Sequence, residues 1–389
     1  MGSVAADPPT APQGRAAAVP EAVKRAVEAK VYGYMYSFVE MGVVKLFIEH
    51  EVFAALPADG SAISLADLAA KTGGEYNMLE RFANFLVACD VLSPAGKGDT
   101  AAAAGPSFAH GRTSRFFLDE GVSLMFSHLF ENCLLPVAHW PEYFGEHGLA
   151  EPSKANVTPW GLSWGHPDKT NYEVFALFPD KALPFNASMK VGVADMPITG
   201  MYDFSWVGRY AAGGGGGDGD GRTLLVDVGG GMGQALKAIL AENPDIPAER
   251  CALQDRPETI DEVDREADPA LARVQKFGAS FHGEEPVKGA LVYHIRRVLN
   301  DWPDRDVVNI LGQIRAAAAP DSRVLISEQI ITEAPSQMMG AVDLFFMNFG
   351  GKRRSERHYG ELAARAGLRL SSFSRHGTSD SAVIELVVA

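Results

Sequence analysis

The run Asp227-Val228-Gly229-Gly230-Gly231-Met232-Gly233 carries the strongest chemical signal in the chain. It follows an apolar strand over residues 224–228 and precedes a helix starting at Gln234, the position where open α/β sheets bind ligands. A dinucleotide fingerprint needs glycine at its first, third and sixth positions. Here glycines stand at 229, 231 and 233, and Gln234 takes the sixth place. Glycines let a backbone approach a ligand closely, and Asp227 offers a carboxylate suited to a cationic amine. Asp255 ends the next strand in Gln254-Asp255-Arg256-Pro257, where a carboxylate can accept both hydroxyls of a ribose. Cys89, Cys133 and Cys251 are too far apart for a CxxC metal site and odd in number for a disulfide framework, so no metal is expected and a reducing, cytoplasmic setting is. His139, His166 and His294 lie in or near segments that can border a cleft, each read singly as a packed or solvated histidine.

These residues need a scaffold. With 389 residues, 47% of them hydrophobic, the chain can form two or three domains with sizeable cores. A formal net charge of −14, from 49 acidic and 35 basic side chains, opposes binding to nucleic-acid phosphates or anionic membranes. The apolar run over residues 31–48 is broken by Glu40 and Lys45, which argues against a membrane span. Residues 1–20, rich in Ala, Pro and Gly, read as a disordered tail. Apolar residues recur at helical spacing over 21–50. Ser64-Leu65-Ala66-Asp67 reads as a second helix start, a third helix covers 76–90, and residues 91–93 with 113–116 are expected to form a two-stranded wing. A winged helix without a basic face is a packing or dimerisation module, so 21–120 is taken as that domain.

Helices are expected over 121–148 and 172–196, around a loop holding Trp160, Trp164 and His166, and 121–212 is assigned as the substrate-binding region. Residues 213–221, almost all glycine, read as a flexible linker. From 222 to 389 the pattern alternates strands (224–228, 251–254, 290–294, 323–328) with helices (234–243, 304–319, 341–348, 355–366). It closes on 368–374 and 382–388, read as an antiparallel hairpin at the sheet edge.

The glycine spacing at 229, 231 and 233 looks like the S-adenosylmethionine (SAM) loop of class I methyltransferases. Pro286-Val287-Lys288-Gly289-Ala290, the run Arg296 to Asp304, Asp343-Leu344 and Gly350-Gly351-Lys352 resemble the fungal and plant-type O-methyltransferase family over roughly residues 21 to 389. The resemblance implies an α/β fold: a C-terminal Rossmann-like SAM-binding domain with an N-terminal, mostly helical winged-helix dimerisation domain, acting as a homodimer on a small molecule. It implies SAM contacts at Asp227, Gly229, Gly231, Gly233, Asp255, Arg256, Phe281, Arg296 and Trp302. Ser280 stands where the family has an adenine-contacting Asp.

In that family a His in a Leu-His-Asp-Trp motif is the general base, framed by two acids. Here its position is Asn300, and an amide has no useful basicity. The first framing acid corresponds to Glu328 and the second to Arg353. This altered pattern resembles the SAM-dependent pericyclases of the leporin type, which keep the fold and the cofactor but transfer no methyl group. That resemblance implies cycloaddition, rearrangement or dehydration of a polyketide or pyridone, with SAM as an electrostatic cofactor. Asn300, Asp301, Glu328, Arg353 and His139 are the candidate catalytic residues. The alternatives are O-methylation of a phenol or enol in secondary metabolism, and a catalytically silent SAM-binding regulator.

Overall fold

The computed structural model describes residues 20–95, 105–191, 196–213, 221–375 and 380–389. The expected N-terminal tail and nearly all of the glycine linker therefore lie outside the described residues. The chain divides into two compact units, the second running from Leu124 to Ala389.

The first unit opens with the helix Glu21–Glu49, followed by the short helix Val52–Ala55. The helix Leu65–Thr72 starts where the sequence places it, because Ser64 Oγ accepts from the Asp67 backbone N–H at 3.1 Å. Glu75 caps the helix Tyr76–Ala88 by accepting from Asn77 and Met78. Three short strands, β1 (Ile63–Ser64), β2 (Leu92–Ala95) and β3 (Ser107–His110), form an antiparallel sheet in the order β1-β3-β2. The wing thus pairs β2 with 107–110 and not with 113–116. Ser114–Leu118 is a 3-10 turn instead, held where Ser114 Oγ meets His110 Nδ1 at 2.9 Å and the Gly111 N–H at 3.1 Å. Phe47, Phe53, Leu65, Leu68, Leu86 and Phe108 fill this unit's core. Much of the first helix remains apolar and exposed, with Val27, Val31 and Phe38 all more than half accessible.

The second unit contains a seven-stranded sheet. Its strands are β4 (Leu225–Val228), β5 (Cys251–Asp255), β6 (Gln275–Gly278), β7 (Val292–Arg296), β8 (Arg323–Gln329), β9 (Leu368–Arg375) and β10 (Ser381–Val388). The order is β6-β5-β4-β7-β8-β10-β9, and β10 runs antiparallel to β8 and β9 while β4 to β8 are parallel. The expected hairpin therefore puts only β9 at its edge of the sheet, with β10 between it and β8, and β6 forms the opposite edge. Helices Gln234–Glu242, Pro257–Glu266, Asp304–Ala317 and Glu356–Arg365 accompany the strands. The residues before the sheet belong to the same unit: Met196, Phe204 and Val207 are packed in a core with Leu225, Leu253 and Val292. The stretch around Trp160 is not a loop. Pro159–Ser163 is a helix capped by Thr158, whose Oγ1 accepts from the Gly161 N–H at 3.1 Å, and Trp160 is fully buried.

Candidate functional site

The carboxyl ends of β4 and β5 bring the glycine loop and the two predicted acids together. Gly229, Gly231 and Gly233 have φ of 69°, 56° and 73°, the left-handed region that glycine enters without strain. At Gly230 the requirement is close approach: a Cβ there would stand 2.6 Å from Asp227 Oδ2. Asp227 is 1% exposed, and neither carboxylate oxygen has a hydrogen-bond partner among the described residues. Its nearest polar neighbour, His294 Nδ1, lies 3.3 Å from Oδ1, within ion-pair distance but poorly aligned for a hydrogen bond. A buried anion so weakly partnered fits a ligand that brings a cation. Asp255 accepts from the Gly231 N–H at 2.8 Å through Oδ2 and from the Arg256 N–H at 2.8 Å through Oδ1, which ties the loop to β5.

The aromatic wall follows. Phe281 packs beside Gly229, Trp302 meets Phe281 edge-on, and Tyr172 stacks on Trp302 at 6.1 Å between centroids. The Arg256 guanidinium stands 4.8 Å from the centre of the Tyr172 ring. Ser280 Oγ accepts only weakly from the His282 N–H at 3.3 Å. Arg296 donates to the Met196 carbonyl at 2.6 Å and keeps a buried Nε without a partner.

Tyr172 and Trp302 also line a cavity of about 630 Å³. Its apolar wall includes Met125, Met339, Phe345 and Phe349, and its polar wall includes His128, Arg297, Asn300, Asp301, Glu328 and Arg353. Asn300 is buried with both amide hydrogens engaged. Its Nδ2 donates to Glu328 Oε2 at 2.9 Å and to the Gln329 carbonyl at 2.8 Å, and its Oδ1 accepts from the Tyr359 hydroxyl at 2.8 Å. Arg353 is partly occupied, donating to Asp380 at 2.7 Å and to Gln329 Oε1 at 2.9 Å, while its buried Nε has no partner among the described residues. The two substitutions that distinguish this motif therefore bond to the protein's own groups.

Asp301 differs. It is half-buried on the cavity wall, and no hydrogen bond to its carboxylate is formed among the described residues. Burial, reinforced by the negative charge of Glu328, raises its carboxyl from 3.8 to about 7, against the opposing pull of Arg297 and Arg354. Burial raises Glu328 as well. Arg354 is completely buried beneath this turn. It donates to the carbonyls of Leu299, Trp302 and Lys352 and to Asp304, so it fixes the backbone that presents Asn300 and Asp301.

His139 is not on the cavity wall; its Nδ1 lies 3.2 Å from Glu142. The histidine that lines the cavity is His128, which the sequence did not single out. Trp160 Nε1 donates to Asn132 Oδ1 at 2.8 Å, so the Asn132 amide turns its Nδ2 toward His128 Nδ1 at 3.2 Å. That leaves the ring proton on Nε2, and burial lowers the imidazole to about 4, so His128 is a neutral donor. The helical spacing of 128 and 132 was the available signal. Arg297, at φ 55°, and Tyr359 were also missed.

A glycine-rich turn after the first strand of a mixed sheet, an acid ending the next strand and a cavity beside them define a SAM-binding enzyme of methyltransferase fold. Comparison with known proteins agrees. Residues 219–369 match the model of the O-methyltransferase domain and residues 32–120 that of the O-methyltransferase dimerisation domain. Methyltransferase fsa4 of Fusarium sp. (strain FN080326) is 48% identical over 92% of this chain and 96% of its own length. Among solved structures, OxaC in complex with sinefungin and meleagrin superposes with a TM-score of 0.79 at 24% identity, over 92% of this chain and 88% of its own. LepI in complex with SAM gives 0.72 at 21%, over 95% and 92%. The chain belongs to the O-methyltransferase family, and its cofactor is SAM.

Proposed function

We propose that the protein is a methyltransferase of secondary metabolism, a cytoplasmic homodimer that methylates a heteroatom of a small acidic acceptor, with Asp301 as the proton acceptor. The carrying observation is the cavity wall: the position of the family's histidine is an amide already bonded to Glu328, Gln329 and Tyr359, and the adjacent carboxylate lines the cavity with its pKa raised toward neutral. When bound, SAM would supply an electrophilic methyl group on a sulfonium, whose transfer would leave a neutral thioether. Asp227, Asp255, Arg256, Ser280, Phe281, Arg296 and Trp302, with the glycines at 229, 231 and 233, are the residues proposed to hold it. The Asp301 carboxylate takes the acceptor's X–H proton, which would leave the heteroatom's lone pair free to displace the thioether from the methyl carbon. Glu328 holds Asn300 and, through its charge, keeps Asp301 basic enough for the task. The apolar wall orients the acceptor and excludes water, which contributes through proximity. The methyltransferase name of the fsa4 relative supports methyl transfer over rearrangement.

A second reading keeps SAM intact and uses the cavity for a pericyclic or dehydrative reaction. It is favoured by the loss of the basic residue at position 300, and it uses Arg297, Arg353 and the neutral His128 as preorganised donors to a carbonyl oxygen. Comparing variants separates the two. Under methyl transfer, Asp301→Ala lowers kcat by roughly 10²–10⁴-fold, while His128→Phe acts mainly on the acceptor's KM. A small effect of Asp301→Ala on turnover, with loss of turnover in His128→Phe, would favour the second reading.

A further inference from the structure

A buried polar chain crosses three adjacent strands beneath the glycine loop. Asp227 is the penultimate residue of β4, His294 sits directly opposite it on β7 in parallel register, and Ser327 lies on β8. His294 Nδ1 stands 3.3 Å from Asp227 Oδ1, and its Nε2 stands 2.9 Å from Ser327 Oγ. All three residues are at most 3% exposed. The imidazole meets Phe204 edge-on at 5.9 Å between centroids, which limits its rotation. The remaining charged group beside Asp227 is Arg296, whose guanidinium is turned to the Met196 carbonyl.

We propose that His294 is a positioning residue for cofactor binding: it orients the Asp227 carboxylate and is itself held by Ser327. The inference rests on Asp227 as the acid that meets the cofactor's ammonium group. A carboxylate only accepts, so the arrangement calls for a proton on the nitrogen facing it, and the Ser327 hydroxyl, which can donate as well as accept, holds the other nitrogen. The single imidazole contact leaves most of the carboxylate's accepting capacity for a ligand while preventing it from turning into the core. His294 touches neither the cavity wall nor the acceptor site, so its effect belongs to the cofactor step and not to proton transfer.

The test is calorimetric titration of the full-length protein with SAM, which requires no turnover. His294→Phe preserves the ring's packing but removes the donor, and should weaken SAM binding by roughly 5–50-fold, the range expected when a buried polar partner is lost. Ser327→Ala should weaken it several-fold, and His294→Gln, which can donate to Asp227, should recover part of the loss. Asp227→Asn should weaken binding by itself and abolish the further effect of His294→Phe. If His294→Phe does not fold, His294→Gln and Ser327→Ala still decide the matter. Wild-type affinity in Ser327→Ala together with a deficit in His294→Gln as large as in Asp227→Asn, or losses that multiply in the double variant, would overturn the proposal. Unchanged affinity in Asp227→Asn would instead remove its premise without bearing on methyl transfer.

Discussion

Replacing Asp301 with Asn makes a thermodynamic prediction independent of any substrate. The carboxyl is raised from 3.8 to about 7 in the folded protein, chiefly by burial and then by Glu328. Between those values the folded state holds a proton that the unfolded chain has released, so stability falls as pH rises through this window. A shift of about three units corresponds to about 4 kcal/mol of stability lost between pH 4 and pH 8, at about 1.4 kcal/mol per unit. Asn cannot ionise and escapes that loss. Other titrating groups are common to both proteins and largely cancel in the comparison, leaving the Glu328 coupling as the main residual. Thermal melts from pH 4.5 to pH 8 should therefore show Asp301→Asn gaining several degrees of Tm relative to wild type at the alkaline end. The two proteins should converge at the acid end. A Tm difference that stays constant across the series would refute the assignment of a raised carboxyl at position 301.

Three other substitutions probe the scaffold. Arg354→Met should destabilise the protein by about 3–5 kcal/mol, because it leaves Asp304 and three carbonyls without their buried donor. Denaturant unfolding checks this, and Arg354→Lys should not rescue it, since an ammonium lacks the fork that reaches all four groups. Gly230→Ala should weaken SAM binding at least tenfold in calorimetry, because its Cβ is driven into Asp227 and Leu253. Val31→Asp, on the exposed apolar face of Glu21–Glu49, should convert a dimer to monomers in light scattering at micromolar concentration.

The placement of the glycine turn and the two acids was legible because it is set locally. A glycine run after an apolar strand and an acid ending the next strand are each readable within a few residues, and the sheet brings them to one edge. Strand β6 and the helix Pro257–Glu266 escaped the sequence pattern for physical reasons. β6 is an edge strand with no buried residue, and the helix buries only Ile260 and Val263. The substrate side was harder because its meaning lies in long-range pairing. Asn300 reads as a free donor from its motif, but Tyr359 and Glu328, distant in sequence, take up its amide. Arg353 reads as a bare cation, but Asp380 pairs with it. His128 offered only its helical spacing from Asn132; Trp160, which orients the Asn132 amide, comes from another helix whose placement no periodicity reveals.

The most direct test of the central claim is accurate mass. Purified protein is incubated with SAM and a small-molecule extract from its host lacking the active gene, and products are compared with precursors. Methyl transfer gives a product heavier than its precursor by one CH2, formed in equal amount with S-adenosylhomocysteine. A product of unchanged mass, or one lighter by a single water, with SAM recovered intact, would contradict it.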